Sequence, residues 1–99
     1  MMANSLKSAT FLIESRIADA ARGDYSGCYD LGIVYSTGAA GVGIDLVEAH
    51  KWFNLAAVAG SEAAQQCRAD IAEDMTAREI AEAQRAARAF LQQTSRRAA

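Results

Sequence analysis

The sequence of 99 residues contains no proline, two cysteines and a single histidine. β-Branched residues are sparse and about a quarter of the chain is alanine, so the composition predicts an all-α fold rather than a sheet. Structural zinc generally needs four cysteine or histidine ligands, so neither a metal nor another cofactor is expected. No apolar run reaches the ~18–20 residues of a membrane span. We therefore expect one small helical domain without a membrane segment.

The sequence also lacks a strong charge of either sign. Its formal net charge is −2 and its pI about 5.3, so no field over the whole molecule favours nucleic acid or an anionic membrane. The N-terminal segment carries one lysine and a short apolar stretch before Glu14, which is not the pattern of a signal peptide. Together these features predict a cytoplasmic protein that binds neither nucleic acid nor a membrane.

Glycines and capping residues divide the chain into five predicted helices. Gly23, Gly38 and Gly60 are each placed to end a helix in the left-handed conformation. Asp24 and Ser61 are placed to cap the second and the fourth helix at their N-termini. The helices are predicted to cover residues 5–22, 25–37, 46–59, 62–75 and 77–93, followed by a frayed tail over 94–99.

Two capping boxes are predicted, one at Asp45 with Glu48 and one at Thr76 with Glu79. In each box the side chain of the first residue accepts a hydrogen bond from the backbone amide three residues later. The glutamate in turn accepts from the amide of the first residue. These boxes predict where the third and the fifth helix begin.

The positions of apolar residues indicate which surfaces are buried. In the first helix, Leu6, Ile13 and Ile17 recur at helical spacing and predict the buried stripe. In the glycine-rich loop after the second helix, Val42 and Ile44 are expected to fill the junction between two helices.

The segment 25–60 carries small, aromatic and acidic residues at fixed spacings. These residues are Leu31, Gly32, Tyr35, Gly38, Gly41, Val42, Asp45, Ala49, Trp52, Phe53, Ala56, Ala57 and Gly60. The pattern resembles the Sel-one-like repeat of the tetratricopeptide-like superfamily, in its small bacterial type, over about a third of the chain. In one departure, Ala39 and Ala40 separate two loop glycines where the family usually has a single residue. The resemblance implies an α–α superhelix of about five antiparallel helices.

The resemblance also implies how the single domain 1–99 is organised. Residues 1–23 would form a leading helix, 24–60 a complete repeat, and 61–93 a partial repeat with a capping helix. Gly23 and Gly60 each follow an alanine pair and lie 37 residues apart. Helix pairs that recur every ~34–40 residues are typical of α-solenoids.

Gly32 lies inside the second helix, where glycine costs about 1 kcal/mol relative to alanine. It is expected where another helix approaches too closely for a β-carbon, here the helix that bears Ala49 and Phe53. Trp52 and Phe53 are adjacent and point about 100° apart, so one should pack in the hairpin and the other towards the next helix. For Trp52, a partly exposed contact surface is the alternative.

No residue pattern indicates an enzyme. His50 is expected to be an exposed helical histidine, Cys28 has no candidate base, and the glycine-rich loop lacks the GK[ST] of a Walker loop. The resemblance implies instead an adaptor or scaffold that holds a segment of a partner protein. Aromatic side chains dominate the hot spots of such surfaces. The predicted partner-binding residues are Tyr25, Tyr29, Asp30, Tyr35 and Trp52.

A self-associating structural or regulatory protein is the alternative function. Phe11 and Leu12 lie off the apolar stripe of the first helix, and a homodimer would bury them. About one and a half repeats is also fewer than the ~3 that such arrays usually need. A third hypothesis, the least favoured at this pI, is nucleic-acid binding through Arg85, Arg88, Arg96 and Arg97.

Overall fold

The computed structural model of the chain describes the backbone of residues 2–98 and the side chains of residues 9–95. Within that range the helices are α1 (Met2–Ala21), α2 (Cys28–Thr37), α3 (Leu46–Val58), α4 (Glu62–Ala72) and α5 (Ala77–Ala98). One 3-10 turn, Ala39–Gly41, lies between α2 and α3, and residues 2–98 contain no strand. The prediction of an all-α fold with five helices is confirmed. In the described part of the chain, no helix is both long and apolar enough to cross a membrane.

Helices α1 and α3 end in the same way, as their glycines predict. Gly23 and Gly60 have φ angles of 94° and 103°. After α1, the amide of Gly23 donates to the carbonyl of Ala20, and the amide of the next residue donates to the carbonyl of Asp19. After α3, the amide of Gly60 donates to the carbonyl of Ala57, and the amide of the next residue donates to the carbonyl of Ala56. Both sets form a Schellman motif, which satisfies carbonyls that a helix end leaves free.

The predicted caps are confirmed in part. Ser61 accepts from the Ala64 amide at 3.1 Å, so it caps α4. Thr76 and Glu79 form a complete capping box, with bonds of 2.8 and 3.1 Å between each side chain and the other amide.

Only half of the predicted box at the start of α3 is present. Asp45 accepts from the Glu48 amide at 3.0 Å. The Asp45 amide, however, donates to the Tyr35 carbonyl at 2.8 Å, so the second half of the predicted box is wrong. The Glu48 carboxylate instead accepts from the Trp52 indole at 3.1 Å and from Lys51 at 2.6 Å.

Helix α2 begins later than Asp24 predicts. The Asp24 carboxylate accepts from both the amide and the hydroxyl of Ser26, at 3.1 and 2.7 Å, and therefore stabilises a turn. The helix begins at Cys28, and Gly27 occupies its N-cap position without a side-chain cap. The end of α2 agrees with the prediction, since Gly38 follows Thr37 in the left-handed conformation.

The glycine-rich loop does not fill a helix junction. Val42 is 39% exposed and Ile44 67% exposed, so the prediction that they plug this junction is wrong. Of the loop residues, Ala40 is the one that packs against the core, in a left-handed conformation with φ 58°. The core contact is thus made by one of the two alanines that lengthen the loop.

The core is centred on α3, which contacts α2, α4 and α5. Phe53 is buried against α2, where its ring lies 5.8 Å from that of Tyr29. A β-carbon on Gly32 would lie 2.4 Å from the Phe53 ring, which confirms the predicted close approach of the two helices.

Trp52 is buried in another direction, with its ring 5.3 Å from that of Phe90 in α5. The two adjacent aromatic residues therefore join α3 to two different helices, and the exposed alternative for Trp52 is wrong.

The C-terminal residues do not fray from position 94 as predicted, because α5 continues to Ala98. Thr94 is buried, accepts from the Tyr25 hydroxyl at 2.9 Å, and donates to the Phe90 carbonyl. The bond from Tyr25 holds the last turns of α5 against the segment between α1 and α2. The side chains of Leu6, Arg96 and Arg97, which the sequence predictions also use, lie outside the described residues.

Candidate binding cleft

A surface cleft of about 360 Å³ lies where the start of α2 faces the end of α3 and the start of α4. Small-molecule pockets commonly measure about 300–1,000 Å³, so the cleft has room for one or two inserted side chains. Its walls are formed by Tyr25, Ser26, Tyr29, Ala56, Ala59, Gly60 and Ser61.

The delayed start of α2 contributes one wall of the cleft. Ser61 caps α4 directly after Gly60, whereas four residues separate Gly23 from the first residue of α2. Tyr25 and Ser26 lie in that turn and line the cleft ahead of the helix. The Asp24 carboxylate fixes the turn through its two bonds to Ser26.

The two tyrosines of the cleft are held by contacts with α4 and α5. The Tyr25 hydroxyl donates to Thr94 in α5, and its ring lies 6.3 Å from that of Phe90. The Tyr29 hydroxyl lies 3.9 Å from the Cys67 sulfur in α4, and this contact raises the pKa of Tyr29. Packing and hydroxyl contacts thus fix the position of both rings before any ligand arrives.

Small residues at the end of α3 form the opposite wall. Ala56 is buried beneath the cleft, and Ala59 and Gly60 lie at the Schellman turn. The sequence predicts Tyr25 and Tyr29 as partner-binding residues but does not predict this wall. Ala56 and Gly60 of the repeat pattern are the available signal, but in the sequence they indicate only a recurring helix end.

Three predicted partner-binding residues lie outside the cleft. Asp30 is exposed and forms an ion pair with Arg16 at 3.5 Å. Tyr35 is half-buried, and burial followed by the charges of neighbouring carboxylates raises its pKa. Trp52 is buried, so its surface is not available to a partner. The structure thus brings together only two of the five predicted residues.

Two buried groups in α2 and α3 carry unusual ionisation. Burial raises the pKa of the Cys28 thiol to about 12, so this thiol is uncharged at neutral pH. His50 is only 3% exposed, so the expectation of an exposed histidine is wrong; α3 is covered by helices on several sides. Its Nδ1 atom has no hydrogen-bond partner, and burial, together with the charge of Arg68, lowers its pKa.

Among the described residues, no group of three or more His, Cys, Asp or Glu side chains is placed to hold a metal ion.

The outer surface of α1 is apolar at the predicted position. Phe11 is 68% exposed and Leu12 49% exposed. They lie apart from the cleft walls, on a helix that packs against α2, α5 and the 3-10 turn. The described part of the chain therefore has two separate candidate contact surfaces.

Comparison of the chain with protein-family models, with curated proteins and with solved structures finds no match.

Proposed function

We propose that this chain is a protein-interaction module that binds a segment of a partner protein in the cleft between α2, α3 and α4. The observation that carries the proposal is a cleft of about 360 Å³ with two tyrosine rings on its wall. Tyrosines provide large contact areas with little loss of conformational entropy on binding. Since both rings are already held by Thr94 and Cys67, the entropy lost on binding is smaller still.

The proposal includes a short Sel-one-like repeat architecture. Two features support it: the identical Schellman turns at Gly23 and Gly60, and the close approach of Gly32 to Phe53. In this architecture the chain acts as an adaptor or scaffold in the cytoplasm rather than as an enzyme. The uncharged state of the buried Cys28 thiol supports a role in packing rather than in nucleophilic chemistry.

A matched pair of substitutions at the end of α3 tests the cleft. Ala59 is exposed and lines the cleft, whereas its neighbour Val58 is exposed but does not line it. We expect Ala59→Trp to fill the cleft and abolish capture of phage-displayed random peptides that the wild-type chain selects. Val58→Trp adds a similar side chain one residue away and should leave that capture unchanged. Equal capture by all three proteins would refute the assignment of the cleft.

A self-associating protein is the second candidate, favoured by the exposure of Phe11 and Leu12. A homodimer formed through α1 would remove both side chains from water without requiring the cleft. Sedimentation equilibrium between about 1 and 100 µM tests this candidate. A mass that stays monomeric over the whole range would reject it.

A further inference from the structure

The cleft walls contain no basic side chain. Their seven residues are tyrosines, serines, alanines and one glycine. Arg16 packs against Gly27 next to the cleft, and its guanidinium is paired with the Asp30 carboxylate. Arg22 is paired with the Asp19 carboxylate, although its charge also acts on Asp24. A ligand that enters the cleft therefore meets no positively charged side chain on its walls.

The helix that forms one wall presents its negative end. Ala56, Ala59 and Gly60 lie at the C-terminus of α3, which ends at Val58. The carbonyls at a helix C-terminus carry a partial negative charge, equivalent to about half an electron, which favours a cation nearby. The N-termini of α2 and α4 lie at the same cleft, and their partial positive charge offsets this effect.

The opposite wall adjoins a carboxylate. Asp24 Oδ1 lies 2.7 Å from the hydroxyl of Ser26, which lines the cleft. The hydrogen bonds from Ser26 lower the pKa of Asp24, so the carboxylate is ionised at neutral pH. Glu62, the first residue of α4, follows Ser61 and is exposed to solvent. Two lining residues thus have an acidic neighbour: Ser26 is bonded to Asp24, and Ser61 is followed by Glu62 in the sequence.

The tyrosines present their rings rather than free hydroxyl groups. The Tyr25 hydroxyl is bonded to Thr94, and that of Tyr29 contacts Cys67. The faces of aromatic rings attract cations, more strongly as the cation is desolvated. The ring surfaces and the Asp24 carboxylate thus favour the same kind of ligand group.

We infer that the cleft selects peptide segments that insert an arginine or lysine side chain against Tyr25 and Tyr29. This inference rests on the proposed function, because it names the chemistry of the segment that the cleft binds. The cation lies near the Asp24 carboxylate, while its aliphatic part packs on the tyrosine rings and Ala56.

Matched peptide pools test the inference on the full chain. Each pool consists of fluorescently labelled peptides of nine residues. The central residue is fixed as arginine, lysine, citrulline or glutamate, and the flanking positions are randomised in the same way in all four pools. Citrulline has nearly the shape of arginine but no charge. We expect the arginine and lysine pools to bind wild type at least about threefold more tightly than the citrulline pool in fluorescence anisotropy. The glutamate pool should bind most weakly, and Ala59→Trp should abolish all specific binding.

Charge variants separate the cleft from the net charge of the chain. Asp24→Asn keeps an oxygen that accepts from Ser26, and it should weaken the arginine pool about threefold. Asp74→Asn removes an equal charge at an exposed position outside the cleft and should leave binding unchanged. Equal losses in the two variants would overturn the inference, because the preference would then reflect overall charge.

The pools also distinguish two kinds of failure. If the arginine and citrulline pools bind equally and Ala59→Trp abolishes both, the inference is wrong but the cleft remains a peptide-binding site. If Ala59→Trp affects no pool, the proposed function is wrong and the inference is refuted with it.

Discussion

Helices α3 and α1 differ in how much of their surface the rest of the chain covers. Six of the 13 residues of α3 are buried, and three helices pack around it. Helix α1 has 20 residues, but of its described side chains only Ile13 and Ala20 are buried. Phe11 lies on the same helix and is largely exposed.

This difference in burial predicts that substitutions in the two helices have different effects. Residues of α3 fix the relative positions of α2, α4 and α5, so a change there affects the fold and the walls of the cleft together. Residues on the outer side of α1 contribute little to packing, so a change there should affect association rather than stability. The comparison can be tested by substitutions that face one helix or the other.

The largest expected effect on stability comes from a substitution of Gly32, which faces α3. Gly27, which faces α1, provides the comparison. A β-carbon on Gly32 would lie 2.4 Å from the buried Phe53 ring, whereas one on Gly27 would lie 2.8 Å from Cγ of Arg16 in α1. Gly32→Leu should destabilise the protein by about 3 kcal/mol or more, or prevent folding, since overpacking of a tight core is costly. Gly27→Ala should cost less, about 1–2 kcal/mol, because Cβ and Cγ of Arg16 must shift but that side chain is partly exposed.

Urea unfolding followed by circular dichroism measures both variants of this pair. The φ angle of Gly27 is −92°, which alanine adopts without strain, so this position is a fair control. Equal destabilisation by the two substitutions would contradict the distinction between α3 and α1. An unchanged melting temperature for Gly32→Leu would show that Gly32 is not in close contact with Phe53.

The second prediction concerns the pH dependence that α3 introduces through His50. Burial and the Arg68 charge lower its pKa in the folded state below the ordinary value of 6.5. Well above pH 6.5 neither state binds the proton to a significant extent. As the pH falls below 6.5, the unfolded chain binds it first, so the free energy of unfolding decreases. We expect wild type to lose on the order of 1 kcal/mol more than His50→Gln between pH 7 and pH 5.

Urea unfolding of both proteins at several pH values checks this prediction. Both proteins contain the same carboxylates. Subtracting the free energy of unfolding of His50→Gln from that of wild type at each pH therefore removes the contribution of those carboxylates. If the free energies of unfolding fall in parallel, His50 is not held in its neutral form by the fold. Titration of the His50 ring by NMR provides an independent measure, since its pKa should lie below 6.5.

The features that the sequence predicts correctly depend on local geometry. Gly23 and Gly60 end helices because the left-handed conformation is accessible to glycine, whatever the rest of the chain does. The approach of Gly32 to Phe53 follows from a glycine that local helix propensity disfavours.

The features that the sequence does not predict depend on where distant helices pack. His50 is buried because α3 is covered on several sides, and Thr94 is buried because α5 reaches Tyr25. The delayed start of α2 forms a wall of the cleft, yet Asp24 would cap a helix or stabilise a turn equally well. Only the packed structure distinguishes these outcomes.

The third prediction concerns the loop that connects α2 to α3 and contacts α1. Ala40 has a φ angle of 58°, which costs a residue other than glycine about 1–2 kcal/mol. Ala40→Gly removes this strain but increases the entropy of the unfolded chain and loses a methyl group that packs on the core. We expect a net stabilisation of about 0.5 kcal/mol in thermal unfolding. Ala39→Gly, without a positive φ to relieve, should destabilise by a similar amount, and the opposite order would contradict the assigned loop conformation.

The smallest expected effect on stability comes from the outer surface of α1. Phe11→Glu/Leu12→Lys replaces two exposed side chains, so the free energy of unfolding at low protein concentration should change by less than about 0.5 kcal/mol. If wild type forms a dimer through these residues, the double variant should instead be monomeric in light scattering at micromolar concentrations. A matched double variant on the outer surface of α5, Arg85→Glu/Arg88→Glu, should leave the mass unchanged.

A wild-type monomer together with an equally stable double variant would show that α1 is not a dimer surface. A large loss of stability would show instead that Phe11 and Leu12 belong to the core, contrary to the comparison with α3.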